Sequence, residues 1–215
     1  MKKYVSNSTD SSRMFKSSFL ESFSKIHFSV PLIVYIPIIS YLIYLSIAAG
    51  SLSLLALLGL FLTGLFIWSF VEYFMHRFIF HYQPSSKIGN RLHFIFHGVH
   101  HDYPKDAYRL VLPPSVSLPL AFLFYCLFKV FVAGAALYSS FAGFLLGYLI
   151  YDMVHYALHH HTFKTGFLKR LQRRHIIHHY SEDDKGFGVS SSFWDRVFGS
   201  YSDNRTSSAS SQYEK

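Results

Sequence analysis

Two long stretches of the 215-residue sequence lack charge, and they constrain the fold more than any other feature. Residues 26–71 contain no Asp, Glu, Lys or Arg, and residues 110–151 contain only Lys129. A bilayer core of about 30 Å is crossed by about 20 helical residues, so each stretch is long enough for two spans joined by a tight turn. With 51% hydrophobic residues and a mean hydropathy of +0.23, this pattern predicts an all-α integral membrane protein whose four transmembrane helices form two hairpins.

The other segments set the predicted domain boundaries. Residues 1–25 are polar and rich in serine, which predicts a flexible tail with a short interfacial helix near residues 15–23. Residues 26–201 form the predicted membrane domain, with spans at about residues 31–49, 52–71, 116–135 and 139–158. Residues 202–215 are of low complexity and are predicted to be disordered.

The formal net charge of +8 is distributed unevenly around the predicted spans. Lys and Arg occur in the N-terminal segment, in the loop after the second span and after the fourth span, whereas the turns near Gly50 and Tyr138 have none. By the positive-inside rule, both termini and the central loop are predicted to be cytosolic. A basic border of this kind contacts anionic headgroups, so it predicts membrane lipids as partners and argues against nucleic acid.

Histidine is the second unusual feature, because ten of the 14 histidines lie in clusters near the ends of the apolar stretches. The densest cluster is RLHFIFHGVHHDYPKD, where offsets of three and four residues put His97, His100 and His101 on one helical face. These three imidazoles are therefore predicted to converge on one point. The ten candidate metal ligands are His76, His81, His97, His100, His101, His155, His159, His175, His178 and His179.

Ten histidines exceed the four ligands of one structural zinc site, and they imply two metal ions with four or five nitrogen ligands each. The prediction is a cytosolic, histidine-rich helical cap that holds a dimetal centre. Neutral imidazole binds Zn, Cu, Fe and Ni alike, so the residue type does not select the metal. Iron that activates dioxygen attacks unactivated C–H bonds, which no side chain does, so the predicted reaction class is hydroxylation or desaturation of a lipid.

The histidine motifs resemble those of a known family. HRFIFH, HGVHH, HYALHH and HIIHH resemble the boxes of the fatty acid hydroxylase superfamily of membrane di-iron oxygenases. Within it, KDAYRLVLPP, GYLIYDMVHYALHH and GFGVSSSFWDRVFGSY resemble the fatty acid 2-hydroxylases, which act on the acyl chain of sphingolipids. The resemblance covers about residues 70–201, and the order and spacing of its motifs are highly specific.

The resemblance implies a fatty acid 2-hydroxylase, a monooxygenase with two iron ions that uses dioxygen and external electrons. It implies that the ten histidines are the metal ligands, and that Tyr151 and Asp152 support catalysis or ligand orientation. The implied substrate is a fatty acyl chain, either free or in a sphingolipid such as ceramide. Zinc competes well for imidazole in purified samples. The run of three histidines at residues 159–161 leaves the ligand open between His159 and His160.

Many eukaryotic relatives carry an N-terminal cytochrome-b-type haem domain, for which the residues before the first predicted span are too few. A separate electron donor is therefore expected, either a cytochrome-b-type protein or a ferredoxin with its reductase. The expected location is the endoplasmic reticulum membrane in a eukaryote or the inner membrane in a bacterium, with the active site facing the cytosol.

Two carboxylates near the histidines are predicted to orient them. Glu72 precedes His76 by four residues, and Asp152 precedes His155 by three. Each carboxylate is therefore predicted to accept the second N–H of that imidazole and so to fix its tautomer.

Tyr108 and Arg109 are predicted to bind the polar head of the substrate, which would hold carbon 2 at a fixed distance from the metal ions. The remaining histidines are predicted to lie at the membrane interface (His27), behind the ligands (His93) or in solvent (His160 and His161).

Three alternative functions fit the residues less well. A sterol or carotenoid hydroxylase or desaturase of the same superfamily would use the same histidines, but the strap at residues 108–114 and the segment GFGVSSSFWDRVFGSY argue against it. His101 and Asp106 fit the H-x4-D pattern of glycerolipid acyltransferases, a short pattern that leaves the other clustered histidines unexplained. A metal transporter would place its ligands at bilayer depth, whereas these crowd one end of the spans.

Overall fold

The computed structural model describes residues 5–6, 8–11 and 13–202, and in these residues the regular structure is entirely helical. The α-helices are α1 (Ser18–Ser24), α2 (Ser29–Ala48), α3 (Leu54–Phe74), α4 (Lys87–His93), α5 (Val99–Asp102), α6 (Pro114–Phe131), α7 (Gly134–His160), α8 (Gly166–Tyr180) and α9 (Phe193–Val197). A π-helical segment, Met75–Phe80, continues α3, and a second one, Phe94–Gly98, joins α4 to α5.

Four helices of the described chain are long and apolar enough to cross a bilayer: α2, α3 with its π-helical extension, α6 and α7. The predicted all-α class and the four helices of membrane-spanning length are confirmed. At the histidine end, α3 with its extension runs to Phe80 and α7 runs to His160, beyond the predicted limits. The predicted bounds at the other end were also wrong, because α6 ends at Phe131 and α7 begins at Gly134. Hydropathy falls at Glu72 and at His155, but the helices continue because these polar side chains are buried against other parts of the protein.

Helix α7 is the centre of the bundle, and both α2 and α3 pack mainly on it rather than on each other. Small residues allow this close approach. A Cβ atom added at Gly64 of α3 would lie 1.7 Å from the Ser140 carbonyl oxygen, and one at Gly143 of α7 would lie 1.9 Å from that of Phe61. The Ser139 hydroxyl also donates a hydrogen bond to the Leu57 carbonyl across the same interface, at 2.7 Å. Glycine and serine thus bring the backbones of two apolar helices into contact, as expected in lipid.

Helix α6 contacts α7 through large aromatic side chains instead. The ring centroids of Phe124 and Phe144 are 5.0 Å apart, and those of Phe128 and Phe141 are 5.5 Å apart. Because such rings hold two helices apart, space remains between α6, α3 and α7 towards the histidine end of the bundle.

The N-terminal segment differs from the flexible tail that the sequence predicted. The short helix α1 occupies residues 18–24, and Met14 just before it is 7% exposed. Glu21 accepts hydrogen bonds from the backbone N–H groups of Met14 and Phe15 and forms an ion pair with Arg109. The tail prediction missed this contact because Arg109 lies 88 residues further along the chain. Of the predicted C-terminal tail, residues 203–215 lie outside the described residues. Its first residue, Ser202, is described and is buried.

The contact between α3 and α7 can be tested with one added methyl group. We expect Gly143→Ala to force the two helices apart and to lower the free energy of unfolding by about 1–3 kcal/mol, because an overpacked backbone contact cannot relax by rotating a side chain. Thermal unfolding in detergent micelles measures the change.

Gly59→Ala is the matched control, because a Cβ atom at Gly59 meets nothing within 4 Å. Alanine is the better helix former by about 1 kcal/mol, so this variant should be unchanged or slightly more stable. Equal unfolding temperatures for the two variants would show that the α3–α7 contact is looser than described.

Candidate dimetal centre

The structure gathers the ten candidate histidines into two groups of five at one end of the bundle. Within each group the nearest imidazole nitrogens all lie within 4.8 Å of one another, so each group could hold a metal ion. The groups adjoin, since the rings of His101 and His179 stack with their centroids 4.2 Å apart. The first histidine group consists of His76, His81, His97, His101 and His178, and the second consists of His100, His155, His159, His175 and His179.

The π-helical segment that extends α3 brings His76 and His81 together. In an ordinary α-helix, residues five apart point about 140° away from each other. The His81 N–H instead donates to the His76 carbonyl oxygen at 3.2 Å, the wider turn that defines a π-helix. The two rings therefore face the same space, with centroids 5.0 Å apart. Sequence spacing judged by α-helical geometry does not reveal this.

The prediction that His97, His100 and His101 converge on one point was wrong. His97 and His101 lie in the first histidine group, and His100 lies in the second. Adjacent residues of a helix point about 100° apart, so His100 and His101 diverge while His97 and His101, four residues apart, stay together. The motif therefore spans the border between the two groups and links them.

The spacing of the nitrogens fits metal coordination. The Nε2 atoms of His81 and His97 are 3.2 Å apart, and those of His159 and His175 are 2.8 Å apart. An ion that binds two nitrogens at a right angle, each at about 2.1 Å, holds them about 3.0 Å apart. Several buried nitrogens have no hydrogen-bond partner among the described residues, which also fits metal coordination. They are Nε2 of His76, His100, His101 and His155. Neutral nitrogen donors of this kind suit iron, zinc, copper or nickel.

Backbone carbonyls orient two of the imidazoles in the first histidine group. The Nδ1–H of His76 donates to the Phe187 carbonyl oxygen at 2.6 Å, and that of His178 donates to the Lys185 carbonyl oxygen at 2.7 Å. In each of these tautomers Nε2 carries the lone pair, so Nε2 is the atom that would bind a metal. No sequence signal could have identified these partners, because any residue type supplies a backbone carbonyl.

The predicted partnership between Glu72 and His76 was therefore wrong. The Glu72 carboxylate instead accepts hydrogen bonds from the backbone N–H groups of Val189 and Ser190, both at 2.8 Å, and from the Ser190 hydroxyl. Asp195, which the sequence analysis missed, accepts the N–H of Phe187 at 2.9 Å. Together these two carboxylates hold the turn that carries the carbonyl partner of His76.

The predicted partnership between Asp152 and His155 was also wrong. Asp152 accepts a hydrogen bond from the Tyr148 hydroxyl at 3.2 Å and another from the backbone N–H of Leu112 in the strap. A tyrosine four residues before an aspartate on a helix is a spacing that could have identified the first contact. Tyr151 lies beside the second histidine group, with its ring centroid 5.6 Å from that of His155.

Burial keeps the imidazoles outside the spans uncharged. It lowers the pKa of His97, His101, His175 and His179 well below the usual value, and neighbouring histidines lower it further. The pKa of His100 falls to about 3 for the same reasons. Such imidazoles are neutral at physiological pH and need not lose a proton to bind a metal.

An apolar cavity of about 260 Å³ begins at this centre, where His97, His100 and His155 line one end of it. Its walls come from α3, α6, α7 and residues 109–117, and its mouth is covered by the N-terminal segment through Met14, Phe15 and other side chains. A long apolar ligand would therefore run from the histidines into the space between the spans.

The contacts of Arg109 differ from those of a headgroup-binding residue. Its guanidinium pairs with Glu21 and Asp106 and donates to the Ser24 hydroxyl at 2.9 Å, so it holds the N-terminal segment over the cavity mouth. Tyr108, predicted to share the headgroup role, is 50% exposed and packs against the ring of His27.

Three smaller predictions concern single histidines. His159 stands in the second histidine group, whereas the half-buried His160 packs on Tyr156 with ring centroids 4.5 Å apart. Of the two predicted to face solvent, His161 is thus the exposed one. His93 lies outside both groups, and His27 is exposed.

The acyltransferase alternative is not supported by the geometry. In that mechanism the histidine and the aspartate of the motif act together. Asp106 instead accepts the backbone N–H of Tyr108 at 3.1 Å and pairs with Arg109, while His101 lies in the first histidine group.

Four bilayer-length apolar helices, with ten buried or half-buried histidines gathered beside an apolar cavity, define an integral membrane protein with a site that could hold metal ions. A model of the fatty acid hydroxylase family matches residues 61–200. The chain belongs to the fatty acid hydroxylase family, a family of oxidoreductases, and the resemblance of its motifs is thereby confirmed.

Similarity to individual relatives supports this family assignment. The chain is 39% identical over 188 residues to a dihydroceramide fatty acyl 2-hydroxylase of Arabidopsis thaliana, which covers 87% of this chain and 78% of the relative. It is 39% identical over 187 residues to a ceramide very long chain fatty acid hydroxylase of Saccharomyces cerevisiae, covering 86% of this chain and 48% of the relative. The fatty acid 2-hydroxylase of Homo sapiens is 37% identical, with coverages of 86% and 55%. The chain thus spans about half the length of the yeast and human relatives.

A solved structure supports the same fold. The hydroxylase domain visible in full-length scs7p matches with a TM-score of 0.81 and 38% sequence identity, over 86% of this chain and 70% of that chain.

The buried imidazoles predict how stability depends on pH. Histidine in an unfolded chain has a pKa of about 6.5, so below that pH the unfolded chain binds protons that the folded protein excludes. The folded protein treated with a chelator should therefore be most stable above about pH 6.5. As the pH falls towards 3, where His100 titrates, each excluded proton should cost about 1.4 kcal/mol per pH unit.

Thermal unfolding in detergent micelles between about pH 7.5 and pH 4.5 measures this effect. The unfolding temperature should fall steeply over that range. An unfolding temperature that stays level would mean that the imidazoles are already charged or exposed in the folded state.

Proposed function

We propose that the chain is a membrane di-iron monooxygenase that hydroxylates carbon 2 of a fatty acyl chain, free or in a sphingolipid. The observation that supports this most strongly is the pair of five-histidine groups at the end of an apolar cavity that lies among the spans. In the balanced reaction, dioxygen, two electrons and two protons convert the C2 methylene into a C2 hydroxymethine and release one water.

The ten histidines would hold the two ions, with five neutral nitrogens for each. When bound, a pair of iron ions supplies the redox chemistry with dioxygen that an unactivated C–H bond requires. Zinc fits the same donors and competes for them, so iron follows from the reaction rather than from the ligand type. The carbonyls of Phe187 and Lys185 would fix the tautomers of His76 and His178.

The protein's own contribution is to bind and orient the acyl chain and to exclude water. The apolar walls of α3, α6 and α7 align the chain with its carboxyl end towards the histidines. Tyr151 lines the cavity beside His155 and is proposed to contact the acyl chain near the reacting carbon. Asp152 is proposed to position the cavity wall without contacting the substrate, because it holds Tyr148 and the strap in place.

The electrons come from a donor protein, for which we propose a cytochrome-b-type protein or a ferredoxin with its reductase. The distribution of Lys and Arg supports a multi-pass topology with both termini and the histidine-rich end in the cytosol. The proposed membrane is the endoplasmic reticulum in a eukaryote and the inner membrane in a bacterium.

Lipid profiling of cells that express the chain tests the activity. We expect new sphingolipids whose acyl chains carry a 2-hydroxyl group. His100→Ala should abolish them. The loss of activity should exceed about 10–100-fold, the usual effect of removing a group that hydrogen-bonds to a metal ligand. His161→Ala is the matched control, because His161 is exposed and outside both groups, and it should retain activity.

Unchanged acyl chains together with new hydroxysterols or hydroxycarotenoids would reject acyl hydroxylation in favour of the related alternative. Equal activity in the His100→Ala and His161→Ala variants would reject the histidine site itself.

Metal analysis of anaerobically purified protein tests the centre separately. Two iron ions per chain are expected, and His81→Ala and His159→Ala, one from each group, should each reduce the iron content. A single ion per chain in the active wild-type protein would reject the proposed dinuclear site.

A further inference from the structure

Three uncharged hydrogen-bond donors line the apolar cavity: the hydroxyls of Tyr35 and Ser117 and the Nε1–H of Trp68. All three polar atoms are buried, and none has a hydrogen-bond partner among the described residues. Tyr35 is only 1% exposed and Ser117 only 4%. They come from three different spans, α2, α3 and α6, so the bundle brings together groups that no single helix could supply.

Buried polar groups without partners are rare in native proteins, and each one needs a physical explanation. Serine within a helix commonly donates to a carbonyl of the preceding turn, as Ser46, Ser69 and Ser140 do in this protein. Ser117 does not. Its hydroxyl interacts with the phenol groups of Tyr35 and Tyr148, but without the geometry of a full hydrogen bond. These donors are therefore available to a ligand in the cavity.

The donors adjoin the second histidine group. The ring of Tyr148 packs against Tyr35, with centroids 4.9 Å apart, and against Trp68, with centroids 5.3 Å apart. The Tyr148 hydroxyl reaches forward along α7 to Asp152, which precedes His155 by less than one helical turn. A polar atom bound by the donors would thus lie near the end of the cavity where the reacting carbon is held.

The charges around the cavity favour a neutral ligand group. The carboxylates that line it, Glu72 and Asp152, already accept hydrogen bonds from the protein. The cation that lines it, Arg109, is engaged by Glu21 and Asp106. The proposed metal ions would lie at the histidine end, but at the three donors an ionised carboxylate would face no cationic side chain and would lose its hydration. A neutral carbonyl would gain the donors there.

We propose that Tyr35, Trp68 and Ser117 form a subsite that binds the carbonyl oxygen of a neutral acyl group, amide-linked or ester-linked, in preference to a free fatty acid. The subsite places the carbon next to that carbonyl beside the histidine groups. These residues would position the substrate, and the idea rests on the proposed acyl hydroxylation.

Trp68 offers a direct readout, because the chain contains only two tryptophans. In the Trp194→Phe variant, Trp68 is the only indole, and its emission should shift to longer wavelength when its N–H donates to a bound carbonyl. The probes are N-palmitoyl sphinganine, methyl palmitate and palmitate, added in mixed micelles at about pH 8.5, where palmitate is ionised. Saturable shifts are expected with the first two probes and a weaker response with palmitate.

Tyr35→Phe and Ser117→Ala in the Trp194→Phe background should each raise the apparent Kd for N-palmitoyl sphinganine about three- to tenfold, the effect of losing one neutral hydrogen bond. Tyr41→Phe is the matched control, since Tyr41 lies on the same helix as Tyr35 but is 61% exposed. The same substitutions should leave the unfolding temperature unchanged or raise it, because each removes an unpaired buried hydroxyl. A purely structural role would instead lower it.

The outcomes separate the subsite from the activity. If wild-type protein forms the 2-hydroxy lipid in cells but Tyr35→Phe and Ser117→Ala bind the probes as tightly as Tyr41→Phe, the subsite is rejected and the activity stands. Equal binding of palmitate and N-palmitoyl sphinganine would reject the preference for a neutral acyl group. Absence of the 2-hydroxy lipid from cells with wild-type protein would reject the activity itself.

Discussion

Ten imidazoles packed against one another have to stay uncharged, and much of this structure serves that condition. With Nε2 atoms as close as 2.8 Å, two protonated rings could not remain in contact, and burial lowers the pKa of the histidines outside the spans so that they do not charge. The same burial removes water from the Nε2 atoms of His76, His100, His101 and His155, so their lone pairs face neighbouring imidazoles. A neutral donor set of this kind would leave the full positive charge of two bound ions uncompensated by protein ligands.

The packing of the membrane helices determines how the histidines at their end are arranged. Helix α7 packs closely on α3 through Gly64 and Gly143, which fixes the relative height of His76 on the π-helical extension of α3 and His155 on α7. Glu72 and Asp195 hold the turn near Phe187 against the histidine-rich end of the bundle, and the Phe187 carbonyl orients His76. Aromatic contacts hold α6 further away, and the cavity opens in the resulting space.

The sequence predicted the parts of this arrangement that depend on hydropathy, spacing and residue type. The four spans follow from long uncharged stretches, and the ten histidines follow from their clustering. It did not predict the division of the ten into two groups. The pairing of His76 with His81 depends on a π-helical segment whose backbone geometry leaves no mark in residue type, and the adjacent residues His100 and His101 diverge. The sequence also assigned Glu72 and Asp152 to neighbouring histidines, whereas their partners are backbone groups more than 35 residues away in the chain and, for Asp152, also a tyrosine.

Each histidine group draws one member from the other half of the chain. Four histidines of the first group precede α6, but His178 comes from α8; four of the second follow α6, but His100 comes from the segment before it. During biosynthesis, neither group is complete until α8 has emerged from the ribosome and docked. Either group could therefore bind a metal ion only after α8 has docked, and such an ion would tie together the segments before and after α6.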